Sequence, residues 1–503
     1  MNATAAAARN VQPEPAPAEH FDVLIVGAGI SGIGSAYHLQ KQTPGTSFVI
    51  LEAQRDFGGT WYTHRYPGIR SDSDLHTFGY RFKPWVGPPI ATADEILKYI
   101  GEVIADNDLA PHIRYGHAVS SASWCSNDKC WTIDAIRSED GASIRFTASF
   151  LWMCQGYYRQ KDGYMPVWPD MDKFEGQFIH SMEWPDGLDT TDKNVVVIGS
   201  GATAATLIPN IAGKCRHVTM LQRSPTYFRT GRNAIDIAET LRELQIDESW
   251  IHEIVRRKIL YEQSGFARMT FDNPEGVKQE LLKGVRNVLG EDFDLDTHFT
   301  PSYRPWRQRI AFVPDADLFH AIKSGEASVV TDRIERFTAT GIQLASGEHL
   351  DADLIVAATG FNMNMLGDIA FAIDGEPLDF ASTVTYRGMM FTGIPNMAWV
   401  FGYFRASWTL RVDLVADFVC RLLTHMKTKQ ARMVVPTLRD EDRNMPIMPW
   451  IDEEDFNPSY LLRAAEALPK RGAKREWQHS QDYWREKDEF AAIDLDDAAF
   501  RYS

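Results

Sequence analysis

Two stretches of this 503-residue chain put small residues where a backbone can close on a phosphate. In the first, Gly27, Gly29, Ser31 and Gly32 follow the apolar run Phe21–Val26 and open a segment with helical character to about Gln40. Glycines at this spacing let backbone amides approach a pyrophosphate, whose charge settles at the helix N-terminus. A second apolar run, Ser47–Leu51, ends in Glu52, where a carboxylate can accept a ribose hydroxyl. In the second stretch, Asn194–Ile198 leads into Gly199, Ser200, Gly201, Ala202, Thr203 and Ala204. Ala204 stands in the third glycine's place, which only has to be small for helix and strand to pack. The residues after the next strand, His217–Leu221, are Gln222, Arg223 and Ser224 in place of an acid. A carboxylate would repel a 2′-phosphate, whereas a guanidinium pairs with one and a hydroxyl donates to it. The second site therefore reads as one for NADP; the first, taken alone, fits either FAD or NAD.

Strand, glycine loop, helix, strand and ribose-side residue recur in the same order, which predicts an α/β chain with two Rossmann-like dinucleotide-binding units. Between them, Arg114 to Cys154 reads as short alternating strands, with turns at Asn127-Asp128 and Asp140-Gly141, forming a small antiparallel sheet. Asp353–Phe361 reads as a strand ending in Ala-Thr-Gly, Gly393–Tyr403 as a last sheet segment, and Ser407 to about Met426 as a helix.

Composition narrows the function. A formal charge of -16 with no basic run makes nucleic acid an unfavourable partner. Five scattered cysteines give no disulfide framework and point to a reducing, cytoplasmic setting. Cys125 and Cys130 have the spacing of a redox pair, but they flank a hairpin turn and are read as structural. No apolar run approaches a membrane span. The opening residues, rich in Ala, Pro and Glu, read as a disordered tail over 1–20. No metal-ligand spacing is present.

The stretch Phe174–Pro185, FEGQFIHSMEWP, lies between the two loops. On residue logic it is a connector, with Gly176 permitting a tight backbone and Trp184 held extended by Pro185. Its pattern of Phe174, Gly176, His180 and Trp184 resembles the signature of the Baeyer–Villiger monooxygenases, a family of class B flavoprotein monooxygenases. So does the run Gly58-Gly59-Thr60-Trp61 with Arg65–Asp72. The string from Gly58 to Tyr80 most resembles the branch that includes the ethionamide-activating monooxygenase.

That resemblance implies FAD in the first unit. It places Gly59, Thr60, Trp61 and Arg70 along the flavin, Asp72 near its ring, and the Val119 backbone at the adenine end. In PSYRPWRQRIAF, Pro301–Phe312, it points to Arg309 as the active-site arginine, with Arg304 and Arg307 the other cations of the segment. It further implies a division into a first FAD-binding part at 21–160, an NADP-binding domain at 161–345 with a helical insertion at 233–299, and a second FAD-binding part with a C-terminal segment at 346–503. The implied reaction consumes NADPH and dioxygen. The reduced flavin forms a C4a-(hydro)peroxyflavin that converts ketones into esters or lactones and sulfides into sulfoxides. Arg309 keeps the oxidant anionic and Asp72 holds Arg309. A flavin N- or S-oxygenase lacking Baeyer–Villiger activity shares the nucleotide motifs but not Trp184 and Arg309. A non-catalytic dinucleotide sensor needs neither Asp72 nor Arg309.

Overall fold

The computed structural model describes residues 18–503. Most of the expected N-terminal tail lies outside the described residues, but Glu19 and His20 already belong to the first strand, Glu19–Val26. That strand is central in a nine-stranded sheet, running parallel to Phe48–Leu51 on one side and to Ser143–Met153 on the other. Its residues alternate between two cores: Val23 and Ile25 face one, Leu24 and Val26 the other. Both faces are covered, which is why the strand is apolar throughout and not alternating. The loop helix Ile30–Gln42 and the helix Trp408–Thr428 pack on the first of these faces.

The antiparallel strands His117–Cys125, Cys130–Arg137 and Ser143–Met153 do not form a separate small sheet as expected. Ser143–Met153 is long enough to pair with the hairpin at its start and with Glu19–Val26 along its length, so one sheet continues through. Late segments complete it: Ala370–Ile373 pairs with His117–Cys125, and Met397–Trp399 with Leu151–Met153. The first unit is therefore discontinuous in sequence.

The second sheet has five parallel strands in the order Ala327–Thr331, His217–Gln222, Asn194–Ile198, Leu354–Ala357 and Gln177–His180. Two corrections follow. Part of the Phe174–Pro185 connector is a strand, Gln177–His180, at the edge of this sheet. Leu354–Ala357, expected beyond the return point at 346, is an inner strand here, so the chain goes back to the first sheet only after it. The segment 233–299 folds as the helices Asp236–Glu243, Glu248–Asp272, Pro274–Leu289 and Leu295–Phe299. Among the described residues no helix is long and apolar enough to cross a membrane.

Candidate active site

The first loop closes tightly. Gly27 has φ +99°, and a Cβ there would stand 2.9 Å from the Cys154 carbonyl oxygen. At Gly32 a Cβ would lie 1.9 Å from the Gly27 carbonyl oxygen, so only glycine lets the helix start beneath the turn. Glu52 is buried; its carboxylate accepts from the amides of Ala28 (2.7 Å) and Gln54 (2.8 Å). Burial raises its pKa against those hydrogen bonds. Each oxygen keeps acceptor capacity, and Glu52 lines a cavity of about 700 Å³.

That cavity is also lined by Gly27, Gly29, Ser31, Gly59, Thr60, Trp61, Asp72, Val119 and Arg309. These expected site residues come from segments scattered over almost three hundred positions. Val119 stands at an irregularity in the pairing of His117–Cys125 with Cys130–Arg137, which turns backbone of that strand to the cavity wall. The glycine turn, the buried acid and the enclosed volume together fit an FAD-sized dinucleotide.

At one end of the cavity, Arg309 donates from Nη2 to Asp72 Oδ1 at 2.6 Å. Local structure fixes both partners. Asp72 is no helix cap: that role belongs to Asp74, which accepts from Thr77 N at the start of Leu75–Phe78. Ser71 N donates to Ala91 O and leaves Asp72 projecting at the wall. Arg309 lies two residues before the strand Ala311–Pro314, whose first amide donates to Tyr227 O. The Arg309 side chain is 44% exposed, and it lines the cavity. The Asp72 carboxylate raises its pKa above the usual arginine value, so the guanidinium is permanently charged.

Of the other cations of the region, Arg307 has no carboxylate partner among the described residues and its buried Nε makes no hydrogen bond, while Arg304 and Arg70 are engaged elsewhere. Arg304 lies over the Phe271 ring at 4.1 Å and beside Asp455 at 3.6 Å. Arg70, expected along the flavin, does not line the cavity; it makes a two-pronged pair with Asp317 at 2.6 and 3.1 Å. That pair joins the first unit to the helix Asp317–Lys323 of the second.

The second glycine loop is open. A Cβ at Gly201 would meet nothing within 4 Å. Ser200 Oγ shares a hydrogen bond with Thr226 Oγ1 at 2.9 Å, Ala202 and Thr203 begin the helix Ala202–Ile211, and Ala204 is buried beneath it. Gly199 stands at the sheet edge of this loop, against the Ala358 carbonyl. Arg223 and Ser224 are exposed, and among the described residues Arg223 has no carboxylate partner.

None of Phe174, Gly176, His180 and Trp184 lines the cavity. Phe174 and Trp184 pack in the two cores of the second sheet, and a Cβ at Gly176 would strike the Phe174 ring. His180 Nδ1 accepts from Met182 N at 3.1 Å, which leaves Nε2–H to donate to Gly360 O at 3.2 Å. Burial lowers the pKa of this imidazole, in keeping with the neutral form. The motif thus fastens the Ala-Thr-Gly exit of the second sheet, where the chain crosses back to the first.

The residues near Trp61 and Trp408 were expected to shield the site from water, and both tryptophans line the cavity; the tyrosines of this aromatic wall were missed. Trp408 Nε1 donates to Ser31 Oγ at 2.8 Å and its ring stacks on Tyr157 at 5.0 Å. Tyr158 and Tyr460 adjoin Tyr157, and all three phenols act electrostatically on Arg309. Tyr460 and Asp455 come from the C-terminal segment, to which the sequence assigned nothing; no motif marks them.

Residues 25–86 match the model of an NAD(P)-binding Rossmann-like domain, and residues 84–233 that of the flavin-binding monooxygenase-like family. The chain is 44% identical over 488 residues to the FAD-containing monooxygenase EthA of Mycobacterium tuberculosis, covering 96% of this chain and 98% of that protein. It is 43% identical over 490 residues to the probable FAD-binding monooxygenase AlmA of an Acinetobacter species, covering 96% of each. Among solved structures it is similar to a steroid monooxygenase bound to NADP, with TM-score 0.74, 24% identity and coverage of 96% and 99%. It is also similar to OTEMO in complex with FAD and NADP, with TM-score 0.71, 21% identity and coverage of 97% and 100%. These two likenesses establish the shared fold.

Proposed function

This chain belongs to the FAD-containing monooxygenases, and within that family we propose an NADPH- and dioxygen-dependent enzyme that inserts one oxygen atom into ketones, giving esters or lactones, and oxidises sulfides to sulfoxides. The observation that carries the proposal is the Arg309–Asp72 pair at 2.6 Å on the wall of the large cavity.

FAD, when bound, supplies electron transfer from NADPH and the activation of dioxygen. The chain supplies the rest. The loop Gly27–Gly32 and Glu52 hold a pyrophosphate and a ribose, and Val119 lines the same cavity. Arg223 and Ser224 present a cation and a hydroxyl to a 2′-phosphate on the open second loop. Trp61, Trp408 and Tyr157 line the cavity with aromatic surface that excludes water. Arg309 stabilises negative charge on the oxygen to be transferred; in a dry, low-dielectric pocket such a fixed cation acts far more strongly than in water. Asp72 fixes its direction and keeps it from swinging to solvent.

Purified protein, tested with NADPH, air, a ketone and an aryl sulfide, should yield ester and sulfoxide. Sulfoxide without any ester would reduce the proposal to sulfur oxygenation, and flavin that is not reduced by NADPH would end it.

A further inference from the structure

The cavity wall beside Arg309 holds a donor that the chemistry above leaves idle. Tyr157 follows the end of the strand Ser143–Met153 and lines the cavity together with Arg309 and Asp72. Its ring is fixed on several sides: Trp408 at 5.0 Å and nearly parallel, Phe401 at 5.0 Å, Tyr158 at 4.1 Å and Tyr460 at 6.2 Å. A phenol clamped this way has little rotamer freedom left to lose on binding a ligand. Burial raises its pKa, while the Arg309 charge and the neighbouring Tyr158 and Tyr460 hydroxyls oppose that rise, so the group stays a neutral O–H. Both Arg309 and Asp72 act on this hydroxyl.

We propose that Tyr157 donates a hydrogen bond to the carbonyl oxygen of a ketone substrate and stabilises the charge that gathers there when the carbonyl carbon is attacked. The inference rests on the ketone reading above. Arg309 then serves the attacking oxygen and Tyr157 the oxygen attacked. The new C–O bond forms as the carbonyl π pair moves onto oxygen, and the phenol keeps its proton throughout. A sulfide has no such oxygen to hold, so its oxidation does not use the donor.

The test compares phenylacetone with benzyl methyl sulfide, a pair of similar shape, on the FAD-loaded enzyme. Tyr157→Phe keeps the ring and removes only the hydroxyl. Its kcat/KM for the ketone should fall on the order of 10²-fold, the usual effect of removing one oxyanion donor. Sulfoxidation, flavin content and the rate of flavin reduction by NADPH should stay near wild type. Tyr460→Phe, which takes a hydroxyl from the cluster but not from the cavity lining, should leave the ketone-to-sulfide ratio unchanged. Equal losses on both substrates, an unchanged ketone rate or loss of flavin in Tyr157→Phe would reduce the residue to packing. The same ratio change in Tyr460→Phe would overturn the assignment to Tyr157. A wild-type enzyme that makes sulfoxide and no ester removes the ketone reading itself, and is recognised before any variant is made.

Discussion

The two glycine loops share a backbone turn whose first glycine presses on a carbonyl at the end of a neighbouring strand, Cys154 for Gly27 and Ala358 for Gly199, and they differ in what surrounds the rest. The first is walled into a cavity of about 700 Å³, and its acid, Glu52, is buried and tied to two amides. The second has free space over Gly201 and carries its cation, Arg223, exposed. The third small residue differs too: Gly32 admits no Cβ, while Ala204 carries one, fully buried. An enclosed ligand leaves only when its walls part, whereas one on an open ledge leaves at the rate its own contacts set. One fold thus provides a walled seat and an open one, with the Arg309–Asp72 pair at the wall of the first.

The sharpest way to break this contrast is to add one carbon to each loop. Gly32→Ala forces a Cβ to within 1.9 Å of the Gly27 carbonyl oxygen and should yield protein without bound flavin. Gly201→Ala meets nothing and should retain it. Absorbance of the purified proteins reads both outcomes, and flavin-replete Gly32→Ala would show that a Cβ fits beneath the first turn after all. Arg309→Ala should lower ester formation on the order of 10²–10³-fold while flavin reduction by NADPH continues. Stopped-flow reduction beside product analysis separates the two, and normal ester yield would remove Arg309 from the chemistry.

A smaller effect is expected at the open seat. Arg223→Ala should raise the KM for NADPH roughly 10- to 100-fold, the loss of one charge-assisted contact, and leave NADH nearly unaffected. An unchanged preference would mean that Arg223 does not meet the 2′-phosphate. An effect on stability and not on activity lies where the two units meet. Burial, followed by the nearby His180, lowers the His64 pKa from 6.5 to about 4. The unfolded chain therefore binds a proton first, so the stability His64 contributes is present above pH 6.5 and is lost as pH falls through about 4. Thermal unfolding should show that slope, on the order of a few kcal/mol over the window. His64→Gln should flatten it; a slope the same in both proteins would assign the acid sensitivity elsewhere.

The nucleotide units were legible because their demands are local. A turn needs glycine, a buried strand needs a continuous apolar run, and Phe21–Val26 and Asn194–Ile198 state both within a dozen residues. The sheet's continuity was not legible, since nothing in Ser143–Met153 says that it pairs on both sides. The Phe174–Pro185 stretch misled because a strand as short as Gln177–His180 carries no periodicity. Asp72 sat among four residues of capping type, and only the fold separates it from Asp74, which does cap. Tyr157 and Tyr460 lie 303 residues apart, and no spacing rule joins them.

Two carboxylate–guanidinium contacts run side by side between the same two lengths of chain. Arg70 and Asp72 are neighbours on one, and Arg309 and Asp317 lie close together on the other, with the signs reversed from one rung to the next. Neither length can slip along the other without parting both rungs, so the rung on the cavity wall borrows its alignment from one outside it. Anyone reshaping this enzyme for a bulkier substrate would loosen the aim of Arg309 by cutting Asp317, without touching a single residue of the cavity.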